Sequence, residues 1–266
     1  EVLLMKITRT KLITGIKIAG IETKAETYAD DTTILIERSE QNLRNLVKII
    51  QDFAKISGLH ANLEKTSVTP AGTNFSVNEE NQICRDLKLD WKDSFTLLGV
   101  KIDSKLKYIE KNYEEKLIKA QAIISNWRVR PLTIHGRITV AKTLILSQFT
   151  YIAAILDLPN EATTEKIQNT LNRFVTNPMK NEDEKERKWL STNILYTSKA
   201  KGGLSFVNFR DFVESIKCSW IKRYTNGCND LWCDLLDKKL SLHPGNRPEL
   251  LDWGDREFDN IIEENL

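Results

Sequence analysis

The sequence predicts an α+β protein, because two different patterns of apolar residues follow one another along the chain. Residues 1–103 mix short β-branched runs, such as Thr32-Thr33-Ile34-Leu35-Ile36, with helix-forming segments. From about Lys105 onward the apolar residues recur at helical spacing. The predicted regions are mixed α/β at 1–103, helical at 104–160, helical again at 161–236, and poorly patterned at 237–266.

Composition narrows the class of protein. A chain of 266 residues with 41% hydrophobic and 29% charged residues suits one or two soluble domains. The net charge of +2 leaves no overall basic footprint, so any nucleic acid must bind through local patches. No signal peptide is visible, and the most apolar stretch, Leu144 to Leu158, is shorter than the ~20 apolar residues of a membrane span. We expect an intracellular protein, nuclear and/or cytoplasmic, that has no membrane partner.

Four cysteines fit reduced thiols better than a disulfide scaffold. Cys228 and Cys233 are separated by four residues, and His243 follows them. Three candidate ligands at this spacing do not make a standard zinc site, so zinc binding and buried thiols both stay open.

Two adjacent carboxylates, Asp30 and Asp31, lie in a short polar turn just ahead of the run at 32–36. This pattern predicts a β-hairpin with the acidic pair at its tip. Neighbouring like charges repel, and Mg²⁺ would relieve the repulsion, since it needs only one or two protein carboxylates. Aspartate is also common in turns that bind nothing. The turn alone therefore indicates either a metal site or a solvated loop.

Other elements of the first region follow from periodicity and capping. An amphipathic helix is predicted from about Glu40 to Ile56, with Ser39 as N-cap and Gly58 as C-terminal stop. Ser76 and Glu79 form a capping box that opens a helix to about Leu89. Residues 95–102 read as a strand interrupted by a glycine, which indicates a bulge or a close backbone approach.

Four helices are predicted in the second region. Pro131 ends the first, Thr133 caps the second, and Gly227 stops the fourth, which covers 208–224. Residues 181–188 are expected to form a solvated loop. The predicted buried faces are Tyr113, Leu117, Ala120, Ile124 and Trp127; Ile134, Ile138, Ala141, Ile145 and Phe149; Ile167, Leu171, Phe174 and Val175; and Phe212, Ile216 and Trp220.

The order of these motifs resembles the second half of the palm of a reverse transcriptase, of the type found in non-LTR (long interspersed element-type) retrotransposons. Tyr28-Ala29-Asp30-Asp31 matches the family's metal-binding hairpin. The helix ending in Ser57-Gly58-Leu59, followed by Asn62, Lys65 and Thr66, matches the next motif. Leu98-Gly99 matches the primer-grip motif, although Leu97 stands where the family often has Tyr.

Two later segments extend the resemblance. The stretch from Trp127 to Lys142, with Gly136-Arg137-Ile138 inside it, resembles the thumb signature of the same family. Lys201-Gly202-Gly203-Leu204-Ser205-Phe206 resembles the Gly-Gly-Leu segment that follows that thumb. The similarity thus runs from about residue 13 to about residue 225, with Glu1 to Ile7 resembling the end of an earlier palm helix.

The resemblance implies an RNA-directed DNA polymerase that uses Mg²⁺, with Mn²⁺ as an alternative. It implies that Asp30 and Asp31 hold the metal and that Lys65 assists departure of pyrophosphate. The implied partners are an RNA template, a DNA primer and deoxynucleotide triphosphates. Residues implied to lie at the primer are Tyr28, Ala29, Leu98 and Gly99, and those implied to contact phosphates are Arg128, Arg130, Arg137 and Lys142.

One carboxylate of the family's site has no match. Two-metal catalysis needs a further carboxylate on a separate strand, which the family carries upstream of its Asp-Asp hairpin. Ahead of Tyr28 the only acids are Glu1, Glu22 and Glu26, and none has that setting. We therefore expect that this polypeptide alone does not polymerise DNA.

Two alternatives stay open. One is a catalytically inactive module that grips an RNA–DNA duplex, which the missing carboxylate favours. The other is a maturase-like RNA-binding cofactor derived from a reverse transcriptase. The segment from Trp127 to Lys142 and the Gly202-Gly203-Leu204 segment favour a retrotransposon origin over the second alternative. The sequence leaves the oligomeric state open.

Overall fold

The computed structural model describes residues 1–18, 20–29, 31–62, 66–70, 83–103, 108–176, 190–227 and 230–239. In these residues helices predominate, and the strands are short and lie before residue 104, which confirms the α+β class. The chain forms two compact units. The first comprises 1–95, 103–105 and 229–244, and the second comprises 96–102, 106–228 and 245–266.

The described strands pair two by two and do not form one broad sheet. The first, second and fourth pairs each join consecutive strands across a tight turn, and the third pair is parallel. An isolated bridge between Gly15 and Ile36 links the first pair to the second. The pairs are β1 (Ile16–Ile18) with β2 (Ile21–Thr23), β3 (Ala25–Tyr28) with β4 (Asp31–Ile34), β5 (Ser67–Val68) with β6 (Asp90–Trp91), and β7 (Ser94–Leu97) with β8 (Val100–Asp103).

The first unit also holds helices α1 (Val2–Arg9) and α2 (Glu40–Ser57). Both predicted ends of α2 are confirmed: the Ser39 side chain accepts a hydrogen bond from the Asn42 N–H, and Gly58 adopts the left-handed conformation. The predicted capping box at 76 and 79 lies outside the described residues. Beyond it, residues 83–86 are helical and stop short of the predicted end at 89.

Buried polar side chains join α2 to the strands. Asn42 accepts a hydrogen bond from the Thr14 N–H at 3.1 Å and donates one to the Glu37 carbonyl at 2.9 Å. Lys24, only 8% exposed, donates to the Thr10 carbonyl at 2.8 Å. Because a buried polar group without a partner is costly, the Asn42 bonds hold segments that flank the strands against α2, and the Lys24 bond holds the β2–β3 connection against the end of α1.

The second unit is helical after its strands. Residues 134–155 run as one continuous helical stretch, whose middle portion, Ala141–Leu146, is a π-helix. A final helix, α9 (Leu231–Lys239), falls within the first unit. The helices of the second unit are α3 (Ile109–Arg128), α4 (Ile134–Val140), α5 (Ser147–Ile155), α6 (Glu161–Thr176), α7 (Thr192–Tyr196) and α8 (Phe209–Thr225).

Three aromatic rings lie at the centre of this unit. Phe149 and Phe209 meet edge to face with centroids 5.2 Å apart, and Tyr113 lies 6.1 Å from Phe209. The predicted faces of the first three helices contribute to this core. The prediction for the fourth is confirmed in part: Phe212 and Ile216 pack against this core but are only half-buried, as is Trp220. Phe209 and Val213, on the same helix, are the residues that are fully buried.

One stretch of the described residues, Ile134–Ile155, is long and apolar enough to cross a membrane by length and composition alone. This helix begins ten residues before the apolar stretch Leu144 to Leu158, and it is longer than the segment on which the expectation of no membrane span was based. Ile138, Ile145 and Phe149 are buried in the protein core. The stretch thus has the contacts of a core helix, which passes the same length test.

The cysteines differ in state. Cys84 is buried and Cys218 half-buried, and both are reduced thiols outside a disulfide. Cys233 is fully buried and disulfide-bonded, so the expectation of four reduced thiols is wrong there. The other two residues considered for zinc, Cys228 and His243, lie outside the described residues.

Candidate active site and nucleic-acid interface

Strands β3 and β4 form the hairpin that the sequence predicts. Tyr28 pairs with Asp31, and only two positions of the chain separate these partners. Ala29 has a φ of 55°, as the first position of a type I′ turn requires. Asp30 itself lies outside the described residues. The two strands are therefore closely connected next to Asp31.

The two faces of this hairpin have different surroundings. Residues paired across an antiparallel ladder share a face, and the faces alternate along each strand. Ala25 and Ile34 pack against the core formed by α1 and α2. Tyr28 and Asp31 lie on the opposite face, with Tyr28 67% exposed and Asp31 also exposed. The Asp31 carboxylate is therefore accessible to a ligand.

The donor chemistry of this face suits a hard divalent cation. Glu26 lies on the same face as Asp31, because it pairs with Thr33, which is two residues after Asp31 along β4. Glu22, by contrast, accepts a hydrogen bond from the Gly15 N–H at 2.7 Å. Within the described ranges no group of three or more His, Cys, Asp or Glu side chains converges on one point. Mg²⁺ often takes only one or two protein carboxylates, so the exposed Asp31 carboxylate has the donor chemistry that suits Mg²⁺ or Mn²⁺.

The segment after α2 is described at its two ends. The Thr66 hydroxyl donates to the Asn62 carbonyl at 2.8 Å, which joins the residues on either side of Lys65. Lys65 lies outside the described residues.

The expectation of one strand with a bulge at residues 95–102 is wrong, because this stretch forms two strands, β7 and β8. Leu98 and Gly99 form the two-residue turn of a hairpin, with φ values of 48° and 81°. Two successive positive φ angles define a type I′ turn, which matches the twist of the flanking strands. Glycine adopts this conformation freely, but leucine is strained there. A periodicity argument could not detect the reversal, because the residues on both sides remain β-forming.

Two helices anchor this hairpin, and sequence reasoning missed both contacts. The Tyr151 hydroxyl, on α5, donates to the Leu98 carbonyl at 2.7 Å. Asn112, on α3 and 3% exposed, accepts from the Lys101 N–H at 2.9 Å and donates to the Lys101 carbonyl at 2.8 Å. Lys101 also pairs with Glu115. An asparagine on the apolar face beside Tyr113 was a signal for a buried contact, whereas nothing local marked Tyr151.

Arg128 and Arg130 lie at the end of α3. Arg128 is half-buried and engaged with other groups. Arg130 is exposed, and its guanidinium lies 4.4 Å from the centroid of the Trp127 ring. This cation–π contact orders the guanidinium and leaves its N–H groups open to an anion. Trp127 itself packs at the edge of the core, as predicted.

Arg137 and Lys142 lie on the next helical stretch, and both are half-buried. Burial lowers the pKa of Arg137, and its buried Nε has no hydrogen-bond partner among the described groups. Burial also lowers the pKa of Lys142, and the nearby positive charge of Lys199 lowers it further. In the described part of the chain neither Arg137 nor Lys142 forms an ion pair. Partly desolvated cations without carboxylate partners favour an incoming anion.

Lys199 is a further candidate, which no pattern in the sequence singles out. It is exposed and opens the short 3₁₀-helix Lys199–Lys201, directly before the Gly-Gly-Leu segment. His135 is exposed in the first turn of α4.

The Gly-Gly-Leu segment has a backbone explanation. Gly202 adopts a φ of 81°, and a Cβ at Gly203 would lie only 2.0 Å from the Thr197 carbonyl oxygen. The chain then folds back so that the Leu204 N–H donates to the Ile194 carbonyl at 2.9 Å. These glycines allow the close backbone approach that places Lys199 near Lys142.

A known protein family matches the first part of the chain. Residues 2–102 match the family model for reverse transcriptase (RNA-dependent DNA polymerase). The predicted resemblance to reverse transcriptases is confirmed for this stretch, which includes both the Tyr28–Asp31 hairpin and the Leu98–Gly99 turn. The match covers less than half of the 266 residues and ends before α3.

Proposed function

We propose that this chain binds an RNA–DNA primer–template as part of a reverse transcriptase of a non-LTR retrotransposon. The observation that carries the proposal is the tight acidic hairpin, with an accessible Asp31, inside the stretch that matches the reverse transcriptase family. The thumb-like segment around Trp127 and the Gly-Gly-Leu segment support the retrotransposon type. RNA template, DNA primer and deoxynucleotide triphosphates are the corresponding partners.

The chemical role of each group follows from its position. Asp30 and Asp31 would hold Mg²⁺, which when bound offsets negative charge on the attacking and leaving oxygens. Tyr28, exposed beside Asp31, would contact the primer end. Lys65 is proposed to donate a proton or positive charge to the leaving pyrophosphate. Arg128, Arg130, Arg137 and Lys142 would hold duplex phosphates, which gives binding without sequence preference.

We further propose that residues 1–266 by themselves grip the duplex without extending the primer. Glu22 is occupied by the Gly15 N–H, and Glu26 lies on the same hairpin as Asp31. Glu26 is thus not on a separate strand, and Glu22, although on β2, already accepts the Gly15 N–H, so neither supplies the further carboxylate that a two-metal site requires. This second proposal corresponds to the catalytically inactive duplex-binding module that the sequence left open. It adds only that the module comes from a retrotransposon.

The test is binding of the purified chain to a fluorescently labelled RNA–DNA primer–template, measured by anisotropy with and without Mg²⁺. We expect binding that weakens with salt, and a Mg²⁺-dependent gain that is lost in Asp30→Asn and Asp31→Asn. Asp52→Asn, which changes an exposed carboxylate paired with Lys55 on α2, is the matched control. Absence of duplex binding at low salt by the wild-type chain would contradict the proposal.

Primer extension under the same conditions tests the second part. We expect no incorporation of deoxynucleotides above the level of the doubly substituted Asp30→Asn, Asp31→Asn chain. Sustained extension by the wild-type chain would show that residues 1–266 already contain a complete polymerase site.

A further inference from the structure

The carbonyl of Leu98 has an unusual position for a backbone acceptor. In a two-residue hairpin turn, the carbonyl of the first turn residue is not part of the strand ladder. Leu98 is also a leucine at a φ of 48°, a conformation that costs a non-glycine residue about 1 kcal/mol or more. The turn therefore needs support from outside the hairpin to stay in one conformation.

Tyr151 supplies that support from α5. Its hydroxyl donates to the Leu98 carbonyl at 2.7 Å, across 53 positions of sequence. The Tyr151 side chain is otherwise 44% exposed, so packing alone does not explain its placement. Asn112 holds the strand that leaves the same turn, through both backbone groups of Lys101. The two contacts attach the hairpin to α5 at its turn and to α3 along β8.

We propose that Tyr151 is a positioning residue that holds the Leu98–Gly99 turn in the conformation that contacts the primer 3′ end. This inference rests on the proposed function for the primer contact itself. Tyr151 acts through Leu98 and does not touch the nucleic acid in this role. Asn112 acts in the same way at Lys101. The hydroxyl of Tyr151 thereby converts a strained, exposed turn into a fixed surface.

The first arm of the test is hydrogen exchange of the full chain followed by mass spectrometry. Tyr151→Phe should speed exchange of the amides at 97–100 about fivefold, the factor for a hydrogen bond of about 1 kcal/mol. Tyr196→Phe is the matched control, because it removes a hydroxyl bonded to Asn172 at 2.9 Å in the same unit. Unchanged exchange at 97–100 in Tyr151→Phe would overturn the support role.

A compensating substitution separates turn support from general stability. Asparagine tolerates the left-handed conformation better than leucine. Leu98→Asn added to Tyr151→Phe should therefore restore slow exchange at 97–100. If Tyr151 only stabilised the helical unit, the second substitution would restore nothing.

The second arm uses a primer that carries 4-thiothymidine at its 3′ end, annealed to RNA. Tyr151→Phe should reduce photocrosslinking to the chain about fivefold, while the Kd for the duplex stays within about twofold, since phosphate contacts dominate affinity. Crosslinking equal to wild type overturns the positioning role alone. Failure of the wild-type chain to bind the duplex overturns the proposed function as well, and the exchange arm then still reports whether Tyr151 holds the turn.

Discussion

At the scale of single residues, Lys142 shows a conflict between stability and binding. Its ammonium is partly desolvated and close to Lys199, and both effects lower its pKa in the folded state. The folded protein therefore holds that proton less tightly than the unfolded chain does, and the charged form destabilises the fold below the folded pKa. A bound phosphate would offset both effects.

Lys142→Met should accordingly raise the midpoint of thermal unfolding near neutral pH and weaken duplex binding. The slope of log K against log salt should fall by about 1, the value for one lost phosphate contact. In the wild type, stability contributed by this group should increase as the pH rises from the lowered pKa toward the ordinary lysine value, and the variant should lack that increase.

The control for Lys142 is Lys166→Met, which removes an exposed lysine from α6. Calorimetry and anisotropy titrations at several salt concentrations would measure both properties. A Lys142→Met chain that is less stable than wild type would contradict the electrostatic argument, even if its binding were weaker.

At the scale of elements, the Gly-Gly-Leu loop gives a sharp prediction. Gly203→Ala places a Cβ 2.0 Å from the Thr197 carbonyl oxygen, so backbone must move. We expect a loss of about 1–3 kcal/mol or more in the free energy of unfolding, measured by urea denaturation. Gly136→Ala is the matched control. Its Cβ would meet nothing closer than 3.5 Å, so it should stabilise α4 by up to about 1 kcal/mol.

Equal stability of Gly203→Ala and wild type would show that the Thr197–Gly203 approach is not required. A large loss in Gly136→Ala would instead indicate that the start of α4 is less tolerant than its geometry suggests.

Elements were predictable where one local rule decided them. The spacing of apolar residues and the caps Ser39 and Thr133 located α2 and α4, because those signals act within one or two turns. The turn at Leu98 was not predictable, because leucine disfavours the conformation that it adopts. Its hydrogen bond comes from Tyr151 on a distant helix, and no sequence pattern encodes that contact.

The candidate site likewise has one part that was predictable from local sequence and one part that was not. The acidic hairpin was predictable, since two β-forming segments flank a short polar turn. Lys199 was not predictable, because its effect on the pKa of Lys142 depends on the chain folding back at Gly203.

At the scale of the whole molecule, the two units have cores of very different size. The second unit has one cluster of twenty buried apolar residues among those described, centred on Phe149. The first unit has two small clusters, of four and three buried residues, around Ile7 and Cys84. Because stability rises with buried apolar area, the first unit should unfold more easily.

Denaturation in urea should therefore proceed in two steps. Hydrogen exchange at increasing urea should first lose protection in α2 and in strands β1 to β4, and only later in α3, α5 and α6. A single transition with all amides exposed together would show that the two units unfold as one cooperative body.

The π-helical segment Ala141–Leu146 has a consequence for the angular phase of the helix that contains it. Each π-type hydrogen bond spans one residue more than an α-type bond, so the segment accommodates a residue that a regular helix would not. Without that residue, everything after it would be displaced by about 100° around the helix axis. Tyr151 would then lie on a different side, away from the Leu98 carbonyl. The π-helical segment thus determines which side chains of the following helix face the hairpin. A one-residue deletion in this segment would change which side chain contacts the hairpin.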